Sequence, residues 1–371
     1  MNLKVLVVDD SALMRKYIGE ILESDLEVEL QTARDGADAL LRIKEWDPDV
    51  VTLDINMPVM DGLTCLSHIM TECPRPVVMV SSLTERDAMA TLEALGLGAV
   101  DFVTKPGGTV SLNIRQVAAE IVAKVRAAGR QARIKRLRRS RSAPSSPGLA
   151  APVAAPERPR ASRPSGVRSG EVKLVLIGVS TGGPSTLEHI LPKLPADFPA
   201  PVLVAQHMPG TFTRLFASRL NSLCQLRVEE VQRRTRLQPG HIYIAQGDSD
   251  VEVSRLGVGL VAASVPEQAD YIWHPSVERM VSSAAQQLEP RQLVGVLLTG
   301  MGNDGARALT ELHRRGGRTI AESEETAVIF GMPAELIALG GAEVVLPNQR
   351  IAGQLMEWLD QGGHADGTHQ A

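Results

Sequence analysis

Four short apolar runs in the first third of the chain end in residues that could do chemistry. Asp9-Asp10 close the first, Asp54 another, Ser81-Ser82 a third and Thr104-Lys105-Pro106 a fourth. If the runs are parallel strands of one sheet, their carboxyl ends converge on one edge, where sites gather in such sheets. Three carboxylates, a hydroxyl and one ammonium would then share a pocket. Clustered carboxylates repel one another and want a hard cation. Asp and backbone oxygens suit Mg²⁺, which keeps several of its waters. A carboxylate beside Mg²⁺ and a Lys can attack a phosphoryl group and become an aspartyl phosphate. Singly, Asp10 or Asp54 could do no more than cap the helix that follows; the set together points to phosphoryl chemistry.

The second half carries two competing loops. Gly178-Val179-Ser180-Thr181-Gly182 follows the apolar run VKLVLI and precedes a helical segment. This is the G-x-S-x-G pattern in the strand–turn–helix setting it needs, with helix N–H groups available to a developing oxyanion. Gly300-Met301-Gly302-Asn303-Asp304-Gly305 follows LVGVLLT and matches G-x-G-x-x-G, with Glu322 ending the next strand. By pattern that is a dinucleotide loop. Asp304 argues against it, because a carboxylate inside a pyrophosphate cradle is repelled by its ligand; it suits an orienting acid instead.

A Ser nucleophile needs a base and a group to orient it. His68, His189 and His313 fall in helical segments, His364 and His369 in the tail, His241 at a strand start and His274 beside Pro275. His207 alone ends a strand, PVLVAQ, which usual βαβ winding sets next to the strand leading to Ser180. Ser180, His207 and Asp304 would then lie on one edge. Their chain order differs from that of α/β-hydrolases, where the His comes last.

The elements that must position these residues are legible as alternation. Apolar runs at 3–9, 50–53, 76–80 and 99–103, with a weaker one near 28–33, alternate with helical periodicity at 11–23, 36–46, 63–72 and 85–97. That predicts a small doubly wound α/β unit over 1–125. From 172 the alternation restarts through VKLVLIG, PVLVAQ, HIYIAQ, VGLVAA, LVGVLLTG, RTIAE and EVVLP. The helical segments there are 184–194, 210–223, 275–288, 306–315, 327–338 and 350–360. The expectation is a second α/β domain over 171–361 with a β-hairpin excursion at 241–265, and a polar tail over 362–371.

Between the two lies 126–170, with 12 Arg or Lys against the single acid Glu157 and six prolines. It cannot bury a core and reads as a solvated linker. The formal charge of −4 over 371 residues therefore hides a basic tether between two acidic parts, and excludes a uniformly basic nucleic-acid binder. A phosphorylation-switched DNA binder using the basic segment is the alternative class, but that segment is Pro-rich and has no helix-turn-helix pattern. Cys65, Cys73 and Cys224 offer no disulfide framework, the N-terminus reaches Asp9 too soon for a signal peptide, and no apolar run is long enough to span a bilayer. A cytoplasmic protein is expected.

At VVDDSALMR, TLDINMPVMDG, MVSS and DFVTKP the chain resembles a response-regulator receiver domain (flavodoxin-like). At IGVSTGGP, APVLVAQHMPGTFT, HPSVERM, LLTGMGNDGA and FGMPAEL it resembles the catalytic domain of the chemotaxis protein-glutamate methylesterases, the CheB family. In the receiver the resemblance implies Asp54 as phospho-acceptor, with Asp9, Asp10, Asp54 and the Asn56 carbonyl around Mg²⁺. It also implies Lys105 on the phosphoryl oxygen, Ser81 as hydroxyl switch and Phe102 in place of the switch aromatic. In the second domain it implies Ser180 as nucleophile, His207 as base then acid, Asp304 as orienter, and Thr181 and the Met301 backbone near the oxyanion. No cofactor is expected for the ester hydrolysis. The implied activity is demethylation of glutamate γ-methyl esters, and deamidation of Gln, on methyl-accepting chemotaxis receptors. A histidine kinase would supply the phosphoryl group, the membrane would be met only through those receptors, and nucleic acid is not an expected partner. In the family the unphosphorylated receiver covers the active site. The chain departs from the family pattern at Gln246, Asp250, Trp273-His274 and Glu322-Ser323.

Overall fold

The computed structural model describes residues 2–105, 117–130, 173–257 and 259–360. The expected linker beyond residue 130 and the tail at 362–371 lie outside the described residues. The first unit alternates β1 (Leu3–Val8), α1 (Ala12–Asp25), β2 (Val28–Ala33), α2 (Gly36–Trp46), β3 (Val50–Asp54), α3 (Gly62–Glu72), β4 (Val77–Ser81), α4 (Glu85–Leu97) and β5 (Asp101–Thr104). A helix over 117–130, α5, completes it. The strands pair in parallel in the order β2-β1-β3-β4-β5. β3 and β4 are buried along their whole length, as strands covered on both faces must be. The α1 and α5 side packs Val5, Val7, Ile18, Leu22, Ile121 and Val125; the other face packs under α2, α3 and α4.

The helices start where capping side chains stand. Ser11 caps α1, Asp35 caps α2, Asp61 caps α3 and Thr84 caps α4, each accepting a backbone N–H from the first turn. Asp9, Asp10 and Asp54 cap none of these helices, so their place at the strand ends has another cause.

The second unit has β6 (Leu174–Val179), α6 (Gly183–Ile190) running into a 3₁₀ turn, β7 (Val202–Gln206), α7 (Gly210–Leu223), β8 (Arg227–Val231), β9 (Thr235–Arg236) and β10 (His241–Ala245). There follow β11 (Asp250–Leu256), β12 (Gly259–Val265), α8 (Val277–Gln287), β13 (Leu293–Leu297), α9 (Ala306–Arg314), β14 (Arg318–Glu322), α10 (Met332–Ala338), β15 (Val344–Leu346) and α11 (Asn348–Asp360). Seven parallel strands run β15-β14-β13-β6-β7-β10-β8, and β11, β12 and β9 form a small antiparallel sheet beside them. α6, α7 and α11 cover one face, and α8, α9, α10 and the small sheet cover the other.

Three details differ from the sequence expectation. The hairpin is β11–β12 alone; His241–Ala245 belongs to the main sheet, pairing with β7 and β8. β8 was hidden because RVEEV carries two adjacent acids, and its edge position leaves them at the half-exposed face. The helix expected from 327 begins at Met332. Ala327 to Phe330 instead lie along the end of β13, where Thr299 Oγ1 accepts the Ile329 N–H at 2.9 Å and Phe330 bridges Gly300.

The two units touch. α4 lies against α6 and α7, Phe102 stacks on Phe212 with ring centroids 4.4 Å apart, and Arg214 pairs with Glu85. One apolar cluster runs from the α2–α4 face of the first sheet into the α6–α7 face of the second. Among the described residues no helix is long and apolar enough to cross a membrane.

Candidate functional site

In the first unit the expected acidic pocket forms. Carboxylate oxygens of Asp9, Asp10 and Asp54 lie within 4.8 Å of one another. Lys105 Nζ stands 2.9 Å from Asp9 Oδ2 and 2.8 Å from Asp54 Oδ2. The other oxygens are anchored locally: Ser11 N–H donates to Asp9 Oδ1 at 2.9 Å and Ile55 N–H to Asp54 Oδ1 at 2.8 Å. Burial raises the Asp54 carboxyl pKa, and the Asp9 charge adds to this; Lys105 opposes them without cancelling them. Burial works against the Lys105 charge too, but the two carboxylates outweigh it and hold the ammonium above its ordinary pKa. Asp9 Oδ2 and Asp54 Oδ2 are buried and have no partner but the Lys105 ammonium among the described residues. Lys105 pairs with the carboxylates of Asp9 and Asp54, while the Arg15 guanidinium reaches only the carbonyls of Asp9 and Asp10; this oxygen-rich cluster fits a hard divalent ion.

The remaining receiver positions are placed less directly. Asn56 turns its amide to Asp87 Oδ1 at 2.7 Å. Ser81 Oγ, fully buried, accepts from Thr91 Oγ1 at 2.8 Å and lies 3.4 Å from the Asp87 carbonyl, so it is engaged on the α4 side. Phe102 is buried against the second unit through its stack on Phe212 in the first turn of α7.

In the second unit, β6 is central, with β7 on one side and β13 on the other. Ser180, His207 and the loop to Asp304 therefore leave three adjacent strand ends. His207 N–H donates to the Val179 carbonyl at 3.1 Å and Ser180 N–H to the Thr299 carbonyl at 2.9 Å, tying the three loops together. His207 Nε2 meets Asp304 Oδ2 at 2.8 Å. Its Nδ1 is buried and free of any hydrogen-bond partner among the described residues. With Nε2–H given to a carboxylate, the neutral ring keeps its lone pair on Nδ1.

Asp304 is held by more than His207. Val277 N–H donates to Oδ2 at 2.7 Å; Glu278 N–H and Ser276 Oγ–H donate to Oδ1 at 2.9 and 3.1 Å. The carboxylate thus sits on the N-terminus of α8, where unpaired N–H groups favour negative charge. Burial pushes its pKa up, but His207 and these N–H groups prevail and hold it below the ordinary Asp value. The HPSVERM segment supplies this cradle. Its signal in the sequence is the N-cap Ser276, legible only as a helix start.

Two glycines of the G-x-G-x-x-G loop are explained by contacts unrelated to a nucleotide. A Cβ on Gly300 would lie 2.7 Å from Ser180 Cβ, and one on Gly305, at φ +81°, would lie 2.3 Å from Val277 Cγ1. The first lets the loop approach Ser180 and the second lets Asp304 reach α8. Thr181 is buried, its carbonyl accepting from Thr299 Oγ1 at 2.8 Å, and Met301 follows directly on Gly300. Gln206 braces the Ser180 loop, its Nε2 donating to the Ser180 and His207 carbonyls at 3.0 and 3.1 Å.

Of the departures, Asp250 is fully buried, accepting from His274 Nδ1 at 3.0 Å, Ser276 N–H at 2.8 Å and Arg279 Nη1 at 2.8 Å. It pins the loop that feeds α8. Gln246 lies at the end of β10, where its carbonyl accepts from Ser249 Oγ at 2.9 Å. Glu322 is fully buried, accepting from Thr299 N–H and Thr326 Oγ1, both at 2.8 Å. Burial pushes its pKa up, and its neutral partners recover only part of the lost hydration. A carboxyl with a raised folded pKa costs no stability below its unfolded pKa. The cost grows as pH rises from there and is complete above the folded value. Glu322→Gln is therefore expected to raise Tm at pH 7.5 by about 3 °C or more, and to raise it less at pH 4. Calorimetry at the two pH values checks this; an equal or negative shift at pH 7.5 contradicts it.

Comparisons with known proteins place the chain in one family. The family model of the CheB methylesterase matches residues 175–355 and that of the response regulator receiver domain matches residues 5–115. A relative from Rhodospirillum rubrum named protein-glutamate methylesterase/protein-glutamine glutaminase 3 is 55% identical over 96% of this chain and 96% of its own. Protein-glutamate methylesterase/protein-glutamine glutaminase 2 of Rhodopseudomonas palustris is 51% identical over 98% of this chain and 99% of its own. Among solved structures, the Thermotoga maritima CheB methylesterase catalytic domain is 39% identical, with a TM-score of 0.49, covering 50% of this chain and 98% of that one. With an acidic receiver pocket ahead of the Ser180, His207 and Asp304 loops, and with relatives alike over nearly its whole length, the chain belongs to the CheB methylesterase family.

Proposed function

We propose that this protein is a cytoplasmic protein-glutamate methylesterase and protein-glutamine deamidase, acting on chemotaxis receptors and activated by phosphorylation of Asp54. The observation that carries the reading is the 2.8 Å bond from His207 Nε2 to a carboxylate fixed on a helix N-terminus, on the strand end next to Ser180. His207 Nδ1 takes the Ser180 proton as Ser180 Oγ attacks the γ-carbonyl of a methylated glutamate. The Thr181 and Met301 backbone N–H groups, on the loops flanking Ser180, are assigned to the oxyanion. As the tetrahedral carbon collapses, the carbonyl C–OCH₃ bond breaks and His207 gives its proton to the departing methoxide. Water, deprotonated by His207, then clears the acyl-serine and leaves glutamate. A glutamine substrate follows the same path with ammonia as leaving group.

In the receiver, Asp9, Asp10, Asp54 and the Asn56 carbonyl would hold Mg²⁺, which when bound neutralises charge on the phosphoryl group. Asp54 accepts that group from a histidine kinase, and Lys105 pairs with its oxygens. We assign 1–125 to the receiver and 171–361 to the catalytic domain; of the linker assigned to 126–170, residues 126–130 continue α5, with Ala128 in the first unit's core. Restraint by the receiver is supported by its placement: α5 faces the Met301–Gly302 loop across a cavity of about 660 Å³, lined on the α5 side by Ala123, Arg126 and Ala127. The Phe102–Phe212 stack links the switch position to α7, which begins three residues after His207.

Methanol release from a methylated receptor fragment, with and without acetyl phosphate and Mg²⁺, tests the scheme. The wild-type rate is expected to rise on the order of tenfold with the phosphodonor, equivalent to removing about 1.4 kcal/mol of closed-state stability. Asp54→Asn should stay at the basal rate. A full response of Asp54→Asn overturns the phosphorylation scheme, and no methanol release under either condition overturns the esterase.

A further inference from the structure

Trp273 is not accounted for by the scheme above. It lies in the loop before α8, and its indole is parallel to the His207 imidazole, at an interplanar angle of 3° and a centroid separation of 6.0 Å. That is an offset stack within the range where aromatic pairs attract. The contact has been given room. Gly302, at φ +78°, would with a Cβ come within 2.6 Å of Trp273 Cζ2 and 2.8 Å of Cη2. The middle glycine of the G-x-G-x-x-G loop thus seats an indole against the site.

We infer that Trp273 is a positioning residue for His207. The imidazole has a single side-chain hydrogen bond, from Nε2 to Asp304, and its Nδ1 has no partner among the described residues. One bond at one ring nitrogen fixes a point and leaves the ring free to tilt about it. Proton transfer from Ser180 needs Nδ1 held in the plane of attack, and small misplacements of a reacting group are costly. The indole face supplies the missing constraint, because a parallel neighbour sets the ring plane and the Asp304 bond sets its position. Both come from one segment: Ser276, three residues beyond Trp273, donates to Asp304. Asp250 pins that segment by accepting from His274 Nδ1 and Ser276 N–H. The same face would attract the ring whenever it carries a proton between the two halves of each acyl transfer.

This inference rests on the esterase reading of the site, and the experiment separates the two. Full-length wild type, Trp273→Phe, Trp273→Leu and Ser180→Ala are assayed for methanol release with acetyl phosphate and Mg²⁺, with kcat and KM resolved and Tm recorded. Expected is a kcat for Trp273→Leu lower by roughly ten- to thirtyfold, KM within about twofold, Tm near wild type, and recovery of most of kcat in Trp273→Phe. A merely structural role would lower Tm, and a substrate-contact role would raise KM at unchanged kcat; either result overturns the inference. So does a Trp273→Leu protein with wild-type kcat while Ser180→Ala is inactive. If Ser180→Ala keeps its activity, the esterase reading of the site fails instead.

Discussion

Ser180→Ala is expected to lower methanol release from methylated receptor by about 10⁴-fold or more, to the level of oxyanion stabilisation and binding alone. The size follows from what is lost. Without Oγ there is no acyl-enzyme, so the two-step route closes and water must attack the ester directly. The folded state should be untouched. Ser180 is only partly buried, and its backbone, not its side chain, makes the hydrogen bonds to Thr299, Gly183 and Gln206. The check is single-turnover methanol release together with a thermal unfolding curve. A Tm within a degree or two and a rate below detection are expected. A rate equal to wild type would remove Ser180 from the mechanism.

Asp304→Asn is expected to cost roughly 10³–10⁴-fold in kcat with little change in KM. The argument concerns which nitrogen of His207 carries the proton. Asp304 accepts only, so it draws the proton to Nε2 and leaves Nδ1 able to accept from Ser180. An Asn amide turned to keep the α8 N–H donors on its oxygen would present NH₂ to His207, move the ring proton to Nδ1 and remove the base. Stability should also respond with a defined sign. The Asp304 carboxyl is held below its ordinary pKa, so its contribution is complete above the unfolded carboxylate value and is lost as pH falls through the lower folded one. Wild type should exceed Asp304→Asn in stability by a constant margin from pH 6 to 8. That margin should shrink below about pH 4. Urea unfolding at several pH values measures this. A margin that grows in acid would show that the carboxylate is not stabilised by its cradle.

The candidate site was legible in unequal parts. Asp9, Asp10, Asp54 and Lys105 follow strands whose apolar runs are unmistakable, and the pocket they form needs only parallel winding. Ser180 and His207 follow adjacent strands in the same way, through a single βαβ step. Asp304 was readable as an acid in the wrong place for a nucleotide loop. Its partners on α8 were not, because that helix reaches the site by packing across the sheet rather than by following it in sequence. β8 and the late start of α10 were misread for related reasons. An edge strand tolerates acids, and residues 327–330 run extended beside Thr299 and Gly300 rather than in a helix.

The sequence by itself determined two alternating α/β units, the residues at their strand ends and hence the chemistry available, because strand, turn and cap preferences act within a few residues of the chain. Only the tertiary structure decided that β13 lies beside β6, that the α8 N-terminus receives Asp304, that Trp273 lies on His207 and that Phe102 meets Phe212. Those pairings join residues from 66 to 119 positions apart, or 27 in the case of Asp304 and Val277. They are set by the shape complementarity of packed faces, for which a linear pattern carries no period.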